Sequence, residues 1–491
     1  MRIYGISKSA LNADVFIAIS IALNKAIRSS ESRTGLDGER WGSKRKPSCF
    51  MVRFPVTQTM FRLFKSDFFH FEALRLLSFT PHHGGEVAEF FAALGKIREN
   101  DSESWYNAWT DAGAKAEALA AEAELAGNRD AARKAFFRAS NYQRAAQFML
   151  NGFSGNDPRI LSNSERALGN FWRAASLLDG CSIVRLEIPF TDDDGTISLP
   201  AYLCLPPASK RLPGKLPVLM QTVGGDATQE EIFHIYPMAA LELGYAVVTF
   251  EGPGQGIVIR KHGKHMRPDW EVVVSAALDF THQYAHDHPE LDLDLDRLAL
   301  VGSSMGGYLA LRGAADSRVR ACISVDPFYN MFDLLKGRMP EIVRNTFIAG
   351  GFVPDGIWDY VFGTLGQANW QTRWEFDFTR WLLGQETAAQ MMRKMQEYTL
   401  ATEDGKGYLT RIRCPTMVTG ARFSMYCQPE VSTQRIYDEL INVPVDKKLM
   451  WVAEDPAEGG LQSKVGAFNV LTTKSFAWLD RIFGIDRKIV L

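Results

Sequence analysis

No histidine follows His288 in this chain of 491 residues; the nine lie at positions 70, 82, 83, 234, 262, 265, 282, 286 and 288. Chemistry placed in the rest of the chain must do without the one side chain that ordinarily titrates near neutral pH. The six cysteines (Cys49, Cys181, Cys204, Cys322, Cys414 and Cys427) are widely spaced, and no two form a CxxC pair. That argues against a zinc site or a disulfide framework and suits a reducing compartment, so a cytoplasmic protein without metal or cofactor is expected. Net charge is only −2 and no long basic block occurs, which argues against a nucleic-acid partner. Long hydrophobic runs are missing as well. The one apolar stretch that stands out, residues 15–23, is shorter than the roughly 20 residues that cross a bilayer. Asp14 precedes it and no clear small-x-small cleavage site follows, so no membrane is expected either.

What is present is ordinary globular material, 46% hydrophobic and 23% charged. The length predicts one large domain with an additional domain or cap. Residues 1–50 include a polar stretch rich in Ser, Gly, Arg and Lys; they are expected to be a poorly ordered extension, with Met51 as an alternative start. Residues 51–180 predict a helical domain, because Ala, Leu, Glu and Arg dominate and no proline falls between Pro81 and Pro158. The Ala/Glu-rich helix over 111–126 should end at Gly127-Asn128 as at a C-cap.

From Ile183 the hydrophobic period changes to two, with a turn at Asp192-Asp193-Asp194-Gly195 and a returning strand over 197–205. Apolar strands are predicted at 216–222, 246–250, 298–301, 319–325, 417–419 and 448–452. Helical patterns separate most of them, which implies βαβ units and a mostly parallel sheet with helices on both faces. Residues 181–328 and 411–491 are the two parts of this α/β core. Between them, residues 329–410 carry Tyr329, Phe332, Trp358, Trp370, Trp374, Phe376 and Trp381 and predict a helical, aromatic-rich cap.

One segment bears chemistry outright. Leu298-Ala299-Leu300-Val301 runs into Gly302-Ser303-Ser304-Met305-Gly306, and a helix former run follows. A strand, Gly-x-Ser-x-Gly and a helix make the nucleophile elbow of an α/β-hydrolase, with Ser304 as nucleophile and the Met305 amide facing a developing oxyanion. The second oxyanion donor is expected at Gly225, in the loop Val223-Gly224-Gly225-Asp226 after a strand. Asp226 can serve there as acid, base or ligand contact, or as an N-cap for the helix near Thr228. A third strand ends in Glu251-Gly252-Pro253-Gly254-Gln255-Gly256.

These segments together resemble one branch of the α/β-hydrolases, the 2,6-dihydroxypseudooxynicotine hydrolase-like family with its fungal secondary-metabolite members of fusarin and cytochalasan clusters. The resemblance covers nearly everything after about residue 68. It rests further on Phe71-Glu72-Ala73-Leu74-Arg75, Gly84-Gly85 with Glu89, Asp101 to Trp105-Tyr106 and Trp109, Arg138-Ala139-Ser140-Asn141-Tyr142 and Arg267-Pro268-Asp269-Trp270-Glu271. It implies a helical N-terminal domain over the active site, a ketonic or polyketide-type apolar substrate, and carbon–carbon bond hydrolysis among the reactions. A homodimer is left open.

Two departures from that pattern bear on the chemistry. Relatives hold the triad acid in the loop after the strand equivalent to 415–419; here Phe423 stands near that position. Relatives carry the histidine before the last helix; here Gln462 stands there, and glutamine does not take and return a proton near neutrality. Asp326 and Glu251, at strand ends, are the other carboxylates able to substitute. His234, His262 and His265 are expected at the surface. The resulting expectation is an enzyme formally of the ketone-hydrolysing class whose step is hydrolysis, condensation or ring closure. The alternatives are a binder of a reactive intermediate and an acyl or polyketide transferase.

Overall fold

The computed structural model describes residues 60–153, 157–335, 339, 341–350, 353–367, 369–402 and 407–487. The expected extension over residues 1–50 and the alternative start at Met51 lie outside them.

The N-terminal part is helical. Helices α1 (Asp67–Leu77), α2 (Val87–Leu94), α3 (Ser102–Leu125), α4 (Arg129–Phe148) and α5 (Pro158–Ser176) follow in order. Each long one starts at a side-chain cap: Asp101 accepts from Ser104 N, Asn128 from Ala131 N, and Asp157 from Arg159 N with Pro158 at the first turn. Gly127 ends α3 with φ 69°, while Asn128, expected to share that C-cap, opens α4 instead. Ala112, Ala116 and Ala120 on α3 and Ala132, Ala135 and Ala139 on α4 are buried, so the two helices approach closely. Polar pins complete the packing: Trp105 Nε1 donates to Ala145 O at 2.8 Å and Asn163 Nδ2 to Gln143 Oε1 at 3.0 Å.

The core is one eight-stranded sheet among the described residues, in the order β1-β2-β4-β3-β5-β6-β7-β8. The strands are β1 (Ser182–Asp192), β2 (Gly195–Leu205), β3 (Leu216–Thr222), β4 (Ala246–Phe250), β5 (Leu293–Ser303), β6 (Ala321–Val325), β7 (Thr416–Ala421) and β8 (Lys448–Ala453). β1 and β2 form the expected hairpin and join β4 antiparallel; every other pairing is parallel. All residues of β3, β4, β6 and β7 are buried, as strands covered by helices on both faces must be. β5 starts at Leu293, earlier than its apolar centre, because Leu216 and Pro217 pair with Leu293 and Asp294 before a register shift.

Helices α6 (Gln229–Ile232) and α7 (Tyr236–Glu242) connect β3 to β4; α8 (Gly256–His262) and α9 (Glu271–Asp287) connect β4 to β5; α10 (Met305–Gly313) follows β5. Between β6 and β7 lie α11 (Glu341–Ala349), α12 (Asp355–Gly366), α13 (Trp370–Leu383) and α14 (Ala388–Glu397). Helices α15 (Thr433–Glu439) and α16 (Phe468–Phe483) complete the chain. The inserted helices bridge core and N-terminal helices. Trp374 of α13 stacks on Phe148 of α4 at 5.1 Å and donates its indole N–H to Met149 O, while Tyr398 Oη donates to Met266 O of the core. No helix among the described residues is long and apolar enough to cross a membrane.

Candidate active site

The turn from β5 into α10 puts Ser304 in a conformation that side chains rarely adopt, φ 54° and ψ −117°. Two glycines allow it. A Cβ on Gly302 would overlap the Gly306 carbonyl oxygen, and one on Gly306 would sit 3.0 Å from Thr222 O. The backbone of Ser304 is held by a bond from its N–H to Val325 O at 2.8 Å. The side chain remains partly exposed above the sheet. Met305 is the first residue of α10, so its N–H belongs to the helix-terminal amides without an intrahelical acceptor and carries the positive end of the helix dipole.

The glycine loop after β3 lies against this turn. A Cβ on Gly225 would meet Met305 Sδ at 2.9 Å and Leu382 Cδ2 of α13 at 3.0 Å. The loop therefore touches both the elbow and the inserted helices, and a side chain at Gly225 would push on the ends of Met305 and Leu382.

Opposite the serine stands an amide. Gln462 Nε2 donates to Ser304 Oγ at 3.1 Å and to the Asp326 backbone carbonyl at 2.9 Å. A carbonyl only accepts, so the nitrogen of the amide must face it. The other end, Gln462 Oε1, accepts from Ser424 Oγ at 2.5 Å. Ser424 Oγ itself accepts from Tyr426 N and Cys427 N, which leaves its proton free to point at the glutamine. Both amide protons and the amide oxygen of Gln462 are thus engaged, and none of its atoms can accept from Ser304. The turn that delivers Gln462 is strained, with Ser463 at φ 55° and Lys464 at φ 60°.

Two of the three carboxylates expected to serve chemistry are tied to cations. Asp326, buried and at φ 47°, accepts on Oδ1 from Thr419 Oγ1 at 2.6 Å and from Lys464 Nζ at 2.8 Å; its Oδ2 is buried with no partner. Lys464 is fully buried, donates also to Gly420 O at 2.7 Å, and lies 4.7 Å from the Trp451 ring. Burial pushes its ammonium pKa down and Asp326 opposes that. Asp226 is not the expected N-cap: Thr228 caps α6, accepting from Glu231 N. Nor does it reach Ser304 with a hydrogen bond; its Oδ2 accepts from Arg75 Nη1 at 3.0 Å. The structure therefore joins Ser304, Gln462 and the backbone of Asp326, and draws Asp226 towards the helical region. Phe423 occupies the loop after β7, where its N–H donates to Gly460 O at 2.8 Å.

The signature of the Alpha/beta hydrolase family matches residues 223–474. The chain is 49% identical over 434 residues to alpha/beta hydrolase psoB of Aspergillus fumigatus, covering 88% of this chain and 96% of that protein. This chain belongs to the α/β hydrolase family. It is also 44% identical to the 20-hydroxy-prefusarin hydrolase FUS2 of Gibberella moniliformis, over 88% of this chain and all of that one. Among solved structures, 2,6-dihydroxy-pseudo-oxynicotine hydrolase superposes with a TM-score of 0.60 at 21% identity, covering 84% of this chain and 96% of the other, a likeness of fold.

The remaining sequence candidates make no hydrogen bond to Ser304 among the described residues. Glu251 is buried at the end of β4 and accepts from Gln229 N at 2.9 Å and Ile257 N at 2.7 Å; burial, then the nearby Glu230, raises its pKa to about 8. His234, expected at the surface, is buried among the rings of Phe79, Phe137 and Phe233, with Nδ1 2.9 Å from His82 O. Desolvation lowers its pKa to about 3, so it stays neutral. His265 bonds Trp381 O at 2.8 Å. Sequence reasoning missed Lys464, Ser424 and Arg75. The signal for the first was there: a lysine two residues after Gln462, in a segment otherwise of small and apolar residues.

Proposed function

We propose that this hydrolase-family chain is an enzyme of fungal polyketide or polyketide–peptide secondary metabolism in which Ser304 is a hydrogen-bond donor rather than a nucleophile. Its step on this reading is a condensation or ring closure of a ketonic substrate, not hydrolysis. The observation that carries the reading is the saturated amide of Gln462 donating to Ser304 Oγ. An Oγ that accepts from Gln462 keeps its own proton for the substrate. Together with the Met305 amide and an amide from the Gly224-Gly225 loop, that proton gives preorganised donors for an oxygen gaining negative charge.

The chemistry suits an intramolecular aldol or Knoevenagel closure. The carbon of an enolised 1,3-dicarbonyl attacks a second carbonyl of the same chain. A carbon–carbon bond forms as the C=O π bond breaks, and the enol's proton passes to the new alkoxide to give the aldol. In a Knoevenagel closure that hydroxyl then leaves as water with the remaining proton of the attacking carbon. Folding one linear substrate into that geometry supplies several kcal/mol or more through orientation alone. The aromatic inserted helices provide an apolar wall for such a chain. The relatives' names support the hydrolase family and assign neither this step nor its substrate class.

The test has two parts. Fluorophosphonate should fail to label Ser304 at a useful rate, because no side chain among the described residues accepts its proton. In the producing organism, gene deletion should accumulate a linear precursor by mass spectrometry, and Ser304→Ala should restore product much more slowly than the native gene. Rapid stoichiometric labelling would overturn the donor reading. Full restoration by Ser304→Ala would mark the protein as a carrier of the intermediate.

A further inference from the structure

We propose that Arg75 is the positioning residue of the Gly224-Gly225 loop, so that the helical N-terminal part sets where that loop's amide stands. The proposal rests on the reading above that the loop supplies an oxyanion donor. Arg75, on α1, reaches across to the core with a fully used fork. Its Nη1 donates to Asp226 Oδ2 at 3.0 Å, Nε to Glu231 Oε1 at 2.6 Å and Nη2 to Glu231 Oε2 at 2.8 Å. Asp226 directly follows the glycine pair and Glu231 lies in α6, so one guanidinium grips the loop at two points five residues apart. Nη1 also reaches Glu72 of α1 at 3.3 Å, and Arg144 of α4 supports Glu231 at 3.3 Å.

The grip is directional. Arg75 is about 11% exposed and Glu231 about 1% at their side chains, so the bidentate pair is desolvated and cannot be exchanged for water. The other edge of the loop is held separately: Gln255 Nε2 donates to Val223 O at 2.5 Å, and its Oε1 accepts from Gly252 N at 2.9 Å. Between those two anchors Gly224 faces the backbone of Ser303 and Gly306 and Gly225 faces Met305, with no side chain of their own to fix them. An oxyanion donor works over a few tenths of an ångström, and a misplacement of about 1 Å can cost on the order of 10²-fold in rate. The same guanidinium lies 5.5 Å from the Phe148 ring, which stacks on Trp374 of α13. Helical part, loop and inserted helices therefore meet at one residue that touches no reacting atom.

Hydrogen–deuterium exchange of the full-length protein tests this. Arg75→Met and Arg75→Lys should each speed exchange across residues 224–231 by at least about tenfold, since lysine keeps the charge but not the fork. Strand β5 should exchange as in the native protein. Arg138→Met, which breaks the pair to Glu89 within the helical part, should leave the loop unchanged. Should the methionine variant fail to fold, the lysine variant decides. Native-like loop exchange in folded Arg75→Lys would overturn the proposal. Product formation in the deletion strain should fall at least tenfold with Arg75→Lys. Faster loop exchange with undiminished product would leave Arg75 as the loop's anchor and remove the catalytic reading of the loop.

Discussion

Gln462 and Lys464 are two residues apart and do opposite things to the site. The glutamine saturates its amide between Ser424, Asp326 and Ser304, and so holds Ser304 without taking its proton. A histidine of nearly the same reach would restore an acceptor at that point. Gln462→His is expected to raise fluorophosphonate labelling of Ser304 by about 10²-fold or more over the native protein, the usual worth of a positioned general base; an intact-mass time course reads this. Lys464 instead balances the buried Asp326 carboxylate. Lys464→Met would strand that charge, and removing one partner of a buried pair costs about 3–5 kcal/mol. Urea denaturation should show that loss, and a change under about 1 kcal/mol would mean that the Lys464–Asp326 pair does not support the fold. Of these roles, the sequence showed only that position 462 lacks a histidine. That Asp326 offers its carbonyl to Gln462 and its carboxylate to Lys464 depends on a left-handed backbone at residue 326, which no local pattern announces.

The strand–elbow–helix unit of β5 and α10 was legible except for the first residues of β5, because each part has a local cause. Buried parallel strands are continuous apolar runs, and the turn demands glycine at both flanks. Gly302→Ala is accordingly expected to be among the most damaging single changes, since its methyl would meet the Gly306 carbonyl and the α10 backbone would have to move. Loss of more than about 4 kcal/mol, or failure to fold, should be seen by thermal melting. The inserted helices between β6 and β7 were legible as helical and aromatic, but not in their contacts. That Trp374 reaches Met149 and Leu382 reaches Gly225 follows from chain crossings far apart in sequence. Thr228, not Asp226, caps α6 for a simpler reason. The helix starts two residues later than an Asp226 cap would need, and Arg75 has already claimed the aspartate.

Burial of titratable groups where the helical part meets the core gives the whole molecule a pH signature. Glu72 is raised to about 7, chiefly by burial, and Glu251 to about 8 from an ordinary 4.5. The folded state therefore holds their protons more tightly than the unfolded chain does. Their contribution is complete below about pH 4.5 and is lost as pH rises through 7 and 8. His234, lowered to about 3 from 6.5, works the other way: its contribution is complete above 6.5 and falls away with acid. Each group adds a slope of at most about 1.4 kcal/mol per pH unit. His70, His82, His83 and His282 are lowered by burial too, so the decline that Glu251 contributes between about pH 5 and pH 8 is read as a difference between two proteins. Glu251→Gln should flatten that decline while lowering the plateau by about 1–3 kcal/mol, because its –NH₂ cannot accept from the amides that the carboxyl now serves. Melting temperatures of both proteins across that range check it, and parallel curves would show that Glu251 does not titrate there.

Fold class, strand order of appearance, the elbow at Ser304 and the missing imidazole were all contained in the order of residues. Each arises from neighbours a few positions apart: periodicity, glycine at a forced turn, or the plain absence of a residue type. The surroundings of the serine were not. Gln462 lies 158 residues from Ser304, Lys464 is 138 from Asp326, and Arg75 is 151 from Asp226. Which polar atoms face each other over such separations is settled by packing the helical part and the inserted helices onto the sheet. There, buried donors and acceptors must find partners or lose about 1–3 kcal/mol each. That requirement turned two carboxylates with the look of catalytic groups into partners of Lys464 and Arg75.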